Sequence, residues 1–144
     1  MSESSREYPD AIDKWWLSRA CKDLNTEDVN RALTLLRAPI QSLSDQFTKK
    51  REDGFIEYFK GGTNTCAYGL FYFPQTWMLT RLVLSELLEF RNWRLPNNGP
   101  INILDLGCGL GSAGLSALEL LHRKGVDNPI SLHGVDYATR ALSY

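Results

Sequence analysis

The sequence predicts an α/β protein, mostly helical before residue 97, and three observations carry that expectation. Apolar residues recur at helical spacing from Ile12 to Phe90. The pattern changes at Ile101, where the short run Ile101-Asn-Ile-Leu104 leads into the glycine-rich Gly107-Cys-Gly-Leu-Gly111. A second apolar run, Ile130-Ser-Leu-His-Gly-Val135, ends on Asp136. Strand, glycine loop, helix, strand and acid in that order make a βαβ unit.

Composition bounds the rest. A length of 144 residues suits one domain with a helical extension. Hydrophobic residues at 43% and charged residues at 23% allow a core and exclude wholesale disorder. With 16 Lys+Arg against 17 Asp+Glu the formal charge is -1, so any nucleic-acid contact must come from a local patch. Cys21, Cys66 and Cys108 are an odd set, widely spaced, and fit neither a disulfide framework nor a metal knuckle. The N-terminus lacks an apolar h-region, and no apolar run approaches the roughly 18 residues of a membrane span. The expectation is a reducing compartment, by default the cytoplasm, with no membrane and no bound metal.

Ile12, Trp16, Ala20 and Leu24 predict a first amphipathic helix. Thr26 reads as the N-cap of a second, with Val29, Ala32, Leu33 and Leu36 on one face and Pro39 stopping or kinking it. Ile40, Leu43 and Phe47 predict a third short helix, ending at the basic run Lys49-Lys50-Arg51, which Glu52 and Asp53 largely neutralise. Gly61-Gly62 breaks the chain before the aromatic segment Tyr68 to Pro74, read first as core and second as a ligand lining. Gln75 to Trp93 reads as a long helix with Leu79, Val83, Leu87 and Phe90 along its buried stripe. Asn97 to Pro100 is a loop. Ser112 to Lys124 forms the helix after the glycines, closed by Gly125, and a further helix begins near Thr139. The chain thus divides into a mostly helical region, 1–96, and a strand-loop-helix-strand region, 97–144.

A glycine loop lets backbone approach a ligand, and the acid after the second strand can accept hydrogen bonds from two ribose hydroxyls. Two cofactor readings compete. Gly109-Leu-Gly111-Ser-Ala-Gly114 matches the dinucleotide pattern G-x-G-x-x-G, with Asp136 placed 22 residues beyond Gly114. That reading would carry the strand through Asp105 and bury an unpaired carboxylate. If the strand ends at Leu104, Asp105 opens the loop and Gly107, Gly109 and Gly111 form D-x-G-x-G-x-G.

This second pattern resembles motif I of the class I S-adenosylmethionine-dependent methyltransferases, and Gly134-Val-Asp136-Tyr137 resembles the acidic motif that follows it. The resemblance implies a Rossmann-like methyltransferase fold and a cofactor site of Asp105, Gly107, Cys108, Gly109, Gly111, Asp136 and Tyr137. In that site Asp105 helps hold the methionine ammonium, the glycines let the backbone wrap the methionine part, Asp136 takes the ribose hydroxyls and Tyr137 lies against adenine. Cys108 is read as a small buried residue. A narrower likeness runs from Ala67 to Leu142. Ala67-Tyr-Gly, Phe73-Pro-Gln-Thr-Trp77, a long helix and Asp105-Leu-Gly-Cys-Gly-Leu-Gly-Ser-Ala113 are similar to the methyltransferase-like family of the mitochondrial and bacterial small ribosomal subunit, with Tyr72 where that family usually carries arginine.

The resemblance implies methyl transfer on or near small-subunit ribosomal RNA, with a non-catalytic S-adenosylmethionine-binding assembly factor as the alternative and a nicotinamide-dependent oxidoreductase behind both. It also implies a seven-stranded sheet, of which 44 residues from Ile101 to Tyr144 supply the first part. The remainder would take on the order of 100 residues, so the chain is expected to be a fragment, inactive alone and able to self-associate through open strand edges. No catalytic base is assigned; His122 and His133 are candidates by residue type only.

Overall fold

The computed structural model describes residues 8–49, 59 and 61–143. Among them lie four α-helices, α1 (Asp10–Asp23), α2 (Val29–Lys49), α3 (Gly62–Glu89) and α4 (Ser112–Arg123). Strand β1 (Ile101–Leu106) precedes α4, β2 (Ile130–Val135) follows it, and a 3₁₀ turn spans Ala141–Ser143. The fold class is α/β, mostly helical, with a small parallel sheet. Among the described residues no helix is long and apolar enough to cross a membrane. Contacts group the chain into two compact units, Pro9–Phe73 and a second from Pro74 onward that includes Tyr8.

In the first unit, α1 begins after Pro9 with Asp10 and Asp13 in its first turn and Lys22 in its last, each sign matched to the helix dipole. Asn25, at φ 50, turns the chain out of the helix. Asp28, rather than Thr26, caps α2: its Oδ1 accepts the N–H groups of Asn30 (2.8 Å) and Arg31 (3.3 Å), while Thr26 Oγ1 accepts the Asp28 N–H. Pro39 does not end α2, and the expected third helix is its continuation. The loss of one backbone hydrogen bond at proline is outweighed because Leu36 and Leu43, seven positions apart on one face, are both buried. They join Ala20, Cys66 and Ala67 in this unit's core, with Ile40 and Tyr72 packed against it. Of the expected basic run, Lys49 ends α2, and Lys50 and Arg51 lie outside the described residues.

The aromatic segment is helical, not a lead-in to a helix. α3 starts at Gly62 and continues through Pro74. The Tyr72 ring meets that of Phe47 at a tilt of 58°, centroids 4.9 Å apart, and Phe73 lies 5.8 Å from Trp16. Gly69 is required there, because a Cβ would sit 2.3 Å from the Trp16 ring.

In the second unit, the stripe expected to be buried on α3 is its exposed face: Leu79 is 63%, Val83 50% and Phe90 59% accessible. The buried positions are Trp77, Arg81 and Ser85, one turn apart. Polar pairing explains the reversal. Arg81, 1% exposed, forms an ion pair with Glu119 of α4, which also pairs with Arg123, and Ser116 Oγ donates to the Trp77 carbonyl at 2.8 Å. β1 and β2 pair in parallel, Ile101 opposite Ile130 through Leu106 opposite Val135. α4 covers the face carrying Ile101 and Ile103, whereas Leu104 (63%) and Leu106 (73%) lie bare on the other. The helix expected near Thr139 is confined to the 3₁₀ turn.

Candidate functional site

The glycine loop joins β1 to α4, and its conformation explains its composition. Gly107, Gly109 and Gly111 have φ of 72°, 52° and 79°, a region costing a side chain about 1–2 kcal/mol. These are the three glycines of the D-x-G-x-G-x-G reading. At Gly107 a Cβ would meet nothing within 4 Å, so glycine there answers to backbone conformation alone and the space beside it is open. The loop is pinned from below: the Val135 carbonyl accepts the N–H groups of Gly107 (2.8 Å) and Cys108 (3.2 Å), and the Cys108 carbonyl accepts the Gly111 N–H (2.8 Å).

The strand does not end at Leu104. β1 continues through Asp105 and Leu106, so a strand running through Asp105 does not count against the dinucleotide pattern. The Asp105 carboxylate is not left unpaired, because its Oδ2 accepts the Gly114 N–H at 2.9 Å. Gly111, the residue before α4, has no side chain to cap the helix. Asp105 does so from the strand, where the N-terminal dipole also favours its negative charge. Gly114 is tightly packed as well: a Cβ would lie 2.6 Å from Leu132 Cδ1 and 3.1 Å from Asp105 Oδ2.

Asp136 follows β2 directly. Its Oδ2 accepts the Gly109 N–H at 2.8 Å and its Oδ1 the Ala138 N–H at 2.7 Å, so one carboxylate ties together the turns after both strands. A carboxylate offers about four lone-pair directions, and two backbone donors leave room for two more. Cys108 lies between the two acids. Burial first, then the charges of Asp105 and Asp136, push its thiol pKa up, so it is held as the neutral thiol. Gly134 makes room for it, since a Cβ there would approach Cys108 Sγ to 2.9 Å.

The structure therefore brings Asp105, Gly107, Cys108, Gly109, Gly111 and Asp136 to one loop system. Tyr137, adjoining Asp136, is 53% exposed. His122, in the last turn of α4, and His133, opposite Leu104 on the bare sheet face, are both exposed and lie outside the glycine loop. The Ala138 N–H and the Val135 carbonyl are backbone groups with no sequence signal. Gly114 had one, as the last glycine of G-x-G-x-x-G. Chemically, the arrangement offers open backbone beside Gly107 and a carboxylate with spare acceptor capacity, which suits a hydroxyl-bearing ligand. No family model, curated protein or solved structure matches this chain.

Proposed function

We propose that this chain carries the cofactor half-site of a class I S-adenosylmethionine-dependent methyltransferase with a Rossmann-like fold, acting on or near small-subunit ribosomal RNA. The observation that supports it most is the coincidence of left-handed backbone at Gly107, Gly109 and Gly111 with Asp136 fixed beside the same loop. The dinucleotide pattern begins at Gly109 and has no use for the first of these. The residues present fit the cofactor: the open backbone beside Gly107 would admit its methionine part, and the spare acceptor directions of Asp136 would take the ribose hydroxyls. Tyr137 is accessible for the adenine. When bound, the cofactor supplies a sulfonium methyl group; the chain's own part is to bind and orient it, the kind of positioning from which such transfers gain most of their rate.

Asp105 has a structural part beside the one the resemblance implies. Its bond to Gly114 makes it the support that holds α4 against β1 beneath the loop.

A second reading has one observation in its favour. The close packing of Gly114 on Leu132 is what the last glycine of a dinucleotide fingerprint provides. Titration calorimetry with S-adenosylhomocysteine and with NAD separates the two. Binding of S-adenosylhomocysteine alone is the expected outcome, and preferential binding of NAD overturns the proposal. Release of S-adenosylhomocysteine in the presence of small ribosomal subunits separates an enzyme from a cofactor-binding assembly factor.

A further inference from the structure

Asn98 is the one asparagine of the sequence that is followed by glycine. Asparagine is thermolabile, because the backbone nitrogen of the next residue can attack its side-chain carbonyl carbon and expel the amide. That attack needs an N–H that is unhindered and outside any hydrogen bond.

At most other asparagines the fold withholds the nitrogen. After Asn25, Asn64 and Asn92, the N–H groups of Thr26, Thr65 and Trp93 donate to the carbonyls of Cys21, Gly61 and Leu87 at 3.0–3.1 Å. After Asn30, the Arg31 N–H is on Asp28 Oδ1. Asn128 precedes Pro129, which has no N–H, and Asn102 precedes the branched Ile103 within β1. Asn97 precedes Asn98, whose side chain crowds its own nitrogen. Gly99 differs from all of these. It has φ 88°, a Cβ on it would meet nothing within 4 Å, and its N–H has no hydrogen-bond partner among the described residues. Both Asn98 and Gly99 are exposed.

We propose that Asn98-Gly99 is a self-modifying site, at which asparagine passes to aspartate and isoaspartate without an enzyme. The Gly99 nitrogen bonds to Asn98 Cγ, the Cγ–Nδ2 bond breaks, and the Gly99 proton leaves with that nitrogen as ammonia. The resulting five-membered imide takes up one water molecule. Opening at Cγ gives aspartate, and opening at the Asn98 main-chain carbonyl gives isoaspartate. Either product adds a carboxylate, but only isoaspartate inserts a methylene into the backbone ahead of Gly99. The Gly99 carbonyl is a tether: with the Pro96 carbonyl it accepts the Asn128 side-chain amide, at 2.8 and 3.3 Å, and so ties the approach to β1 to the turn before β2. Isoaspartate displaces that carbonyl and aspartate leaves it in place. The inference stands apart from the cofactor reading, since the glycine loop lies at the other end of β1.

The test incubates the full chain in mildly alkaline buffer beside a synthetic peptide of residues 95–102, and maps both by mass spectrometry with fragmentation that separates isoaspartate from aspartate. Asn98 should gain the mass of a hydroxyl replacing an amino group before any other asparagine does, with both products formed. Its rate in the folded chain should lie within about tenfold of the peptide's, the factor that one ordinary backbone hydrogen bond on Gly99 would impose. Asp53-Gly54, outside the described residues, already carries an acid and cannot give this mass gain. Asn98→Gln, whose longer side chain cannot close the five-membered imide, should abolish the gain at this position. Earlier deamidation of another asparagine, a folded-chain rate more than about tenfold below the peptide's, or aspartate without isoaspartate, the mark of direct hydrolysis, overturns the proposal. Urea denaturation of the separated products checks the tether. The isoaspartyl chain should unfold at lower urea than the aspartyl chain, and equal midpoints overturn the part given to Asn128.

Discussion

The Gly109 N–H and the Asp136 carboxylate, 27 positions apart in the chain, meet at 2.8 Å and lock the turn after β1 to the turn after β2. The acid has structural work to do before any ligand arrives, because its other oxygen holds Ala138. Asp136→Ala should therefore cost about 1–3 kcal/mol by leaving two backbone donors without their acceptor. Asp136→Asn, which keeps one oxygen, should lose less. Urea denaturation reads the stability loss. On the cofactor reading, calorimetry should also show affinity for S-adenosylhomocysteine falling at least tenfold in Asp136→Ala.

Cys108 should be a poor nucleophile despite standing in an open loop. Its thiol pKa is raised above 9.0 by burial and by the two neighbouring acids, so less thiolate is present at pH 8 than for an ordinary cysteine. Iodoacetamide should modify it more slowly than a free cysteine at that pH. Asp136→Asn, which removes one of the two charges, should speed the reaction.

The buried ion pair of Arg81 and Glu119 should respond asymmetrically. Glu119→Gln takes a carboxylate from a guanidinium that is 1% exposed and should cost about 3 kcal/mol or more. Arg81→Met removes the buried charge itself, leaves Glu119 paired with Arg123, and should cost less. Chemical denaturation of the two variants gives the comparison.

Gly69→Ala tests the packing of α1 on α3. The new methyl would fall 2.3–2.5 Å from the ring of Trp16, a buried side chain. A loss of about 1–3 kcal/mol is expected, and Trp16→Leu in the same chain should recover part of it.

Glu89 and Lys124 set an acid-side dependence. The hydrogen bond from Lys124, at 2.9 Å, and then its charge hold the Glu89 carboxyl below its ordinary 4.5. A lowered folded-state pKa contributes stability that is present above the unfolded value and is lost as pH falls through the folded one. Lys124→Met should flatten that part of the stability curve below pH 5 and leave neutral stability little changed, since the pair is largely solvent-exposed.

Period and composition alone located α1, the extent of β2 from Ile130 to Val135, the start of α4 at Ser112 and the placement of Asp136 just past its strand. They also marked Gly107, Gly109 and Gly111, because left-handed backbone leaves a direct trace in residue type. Tertiary structure decided the rest. α2 runs through Pro39 because Leu36 and Leu43 are buried on both sides of it, an effect larger than one missing hydrogen bond. α3 buries Trp77, Arg81 and Ser85 and exposes Leu79 and Val83, because α4 supplies a carboxylate to the arginine and a hydroxyl donor to the tryptophan carbonyl. Asp105 stays in its strand because α4 brings the Gly114 N–H to it. Hydrophobic periodicity weighs each side chain by its own transfer from water; whether a polar group is buried depends on the partner it meets, and here those partners stand 9 and 38 positions away.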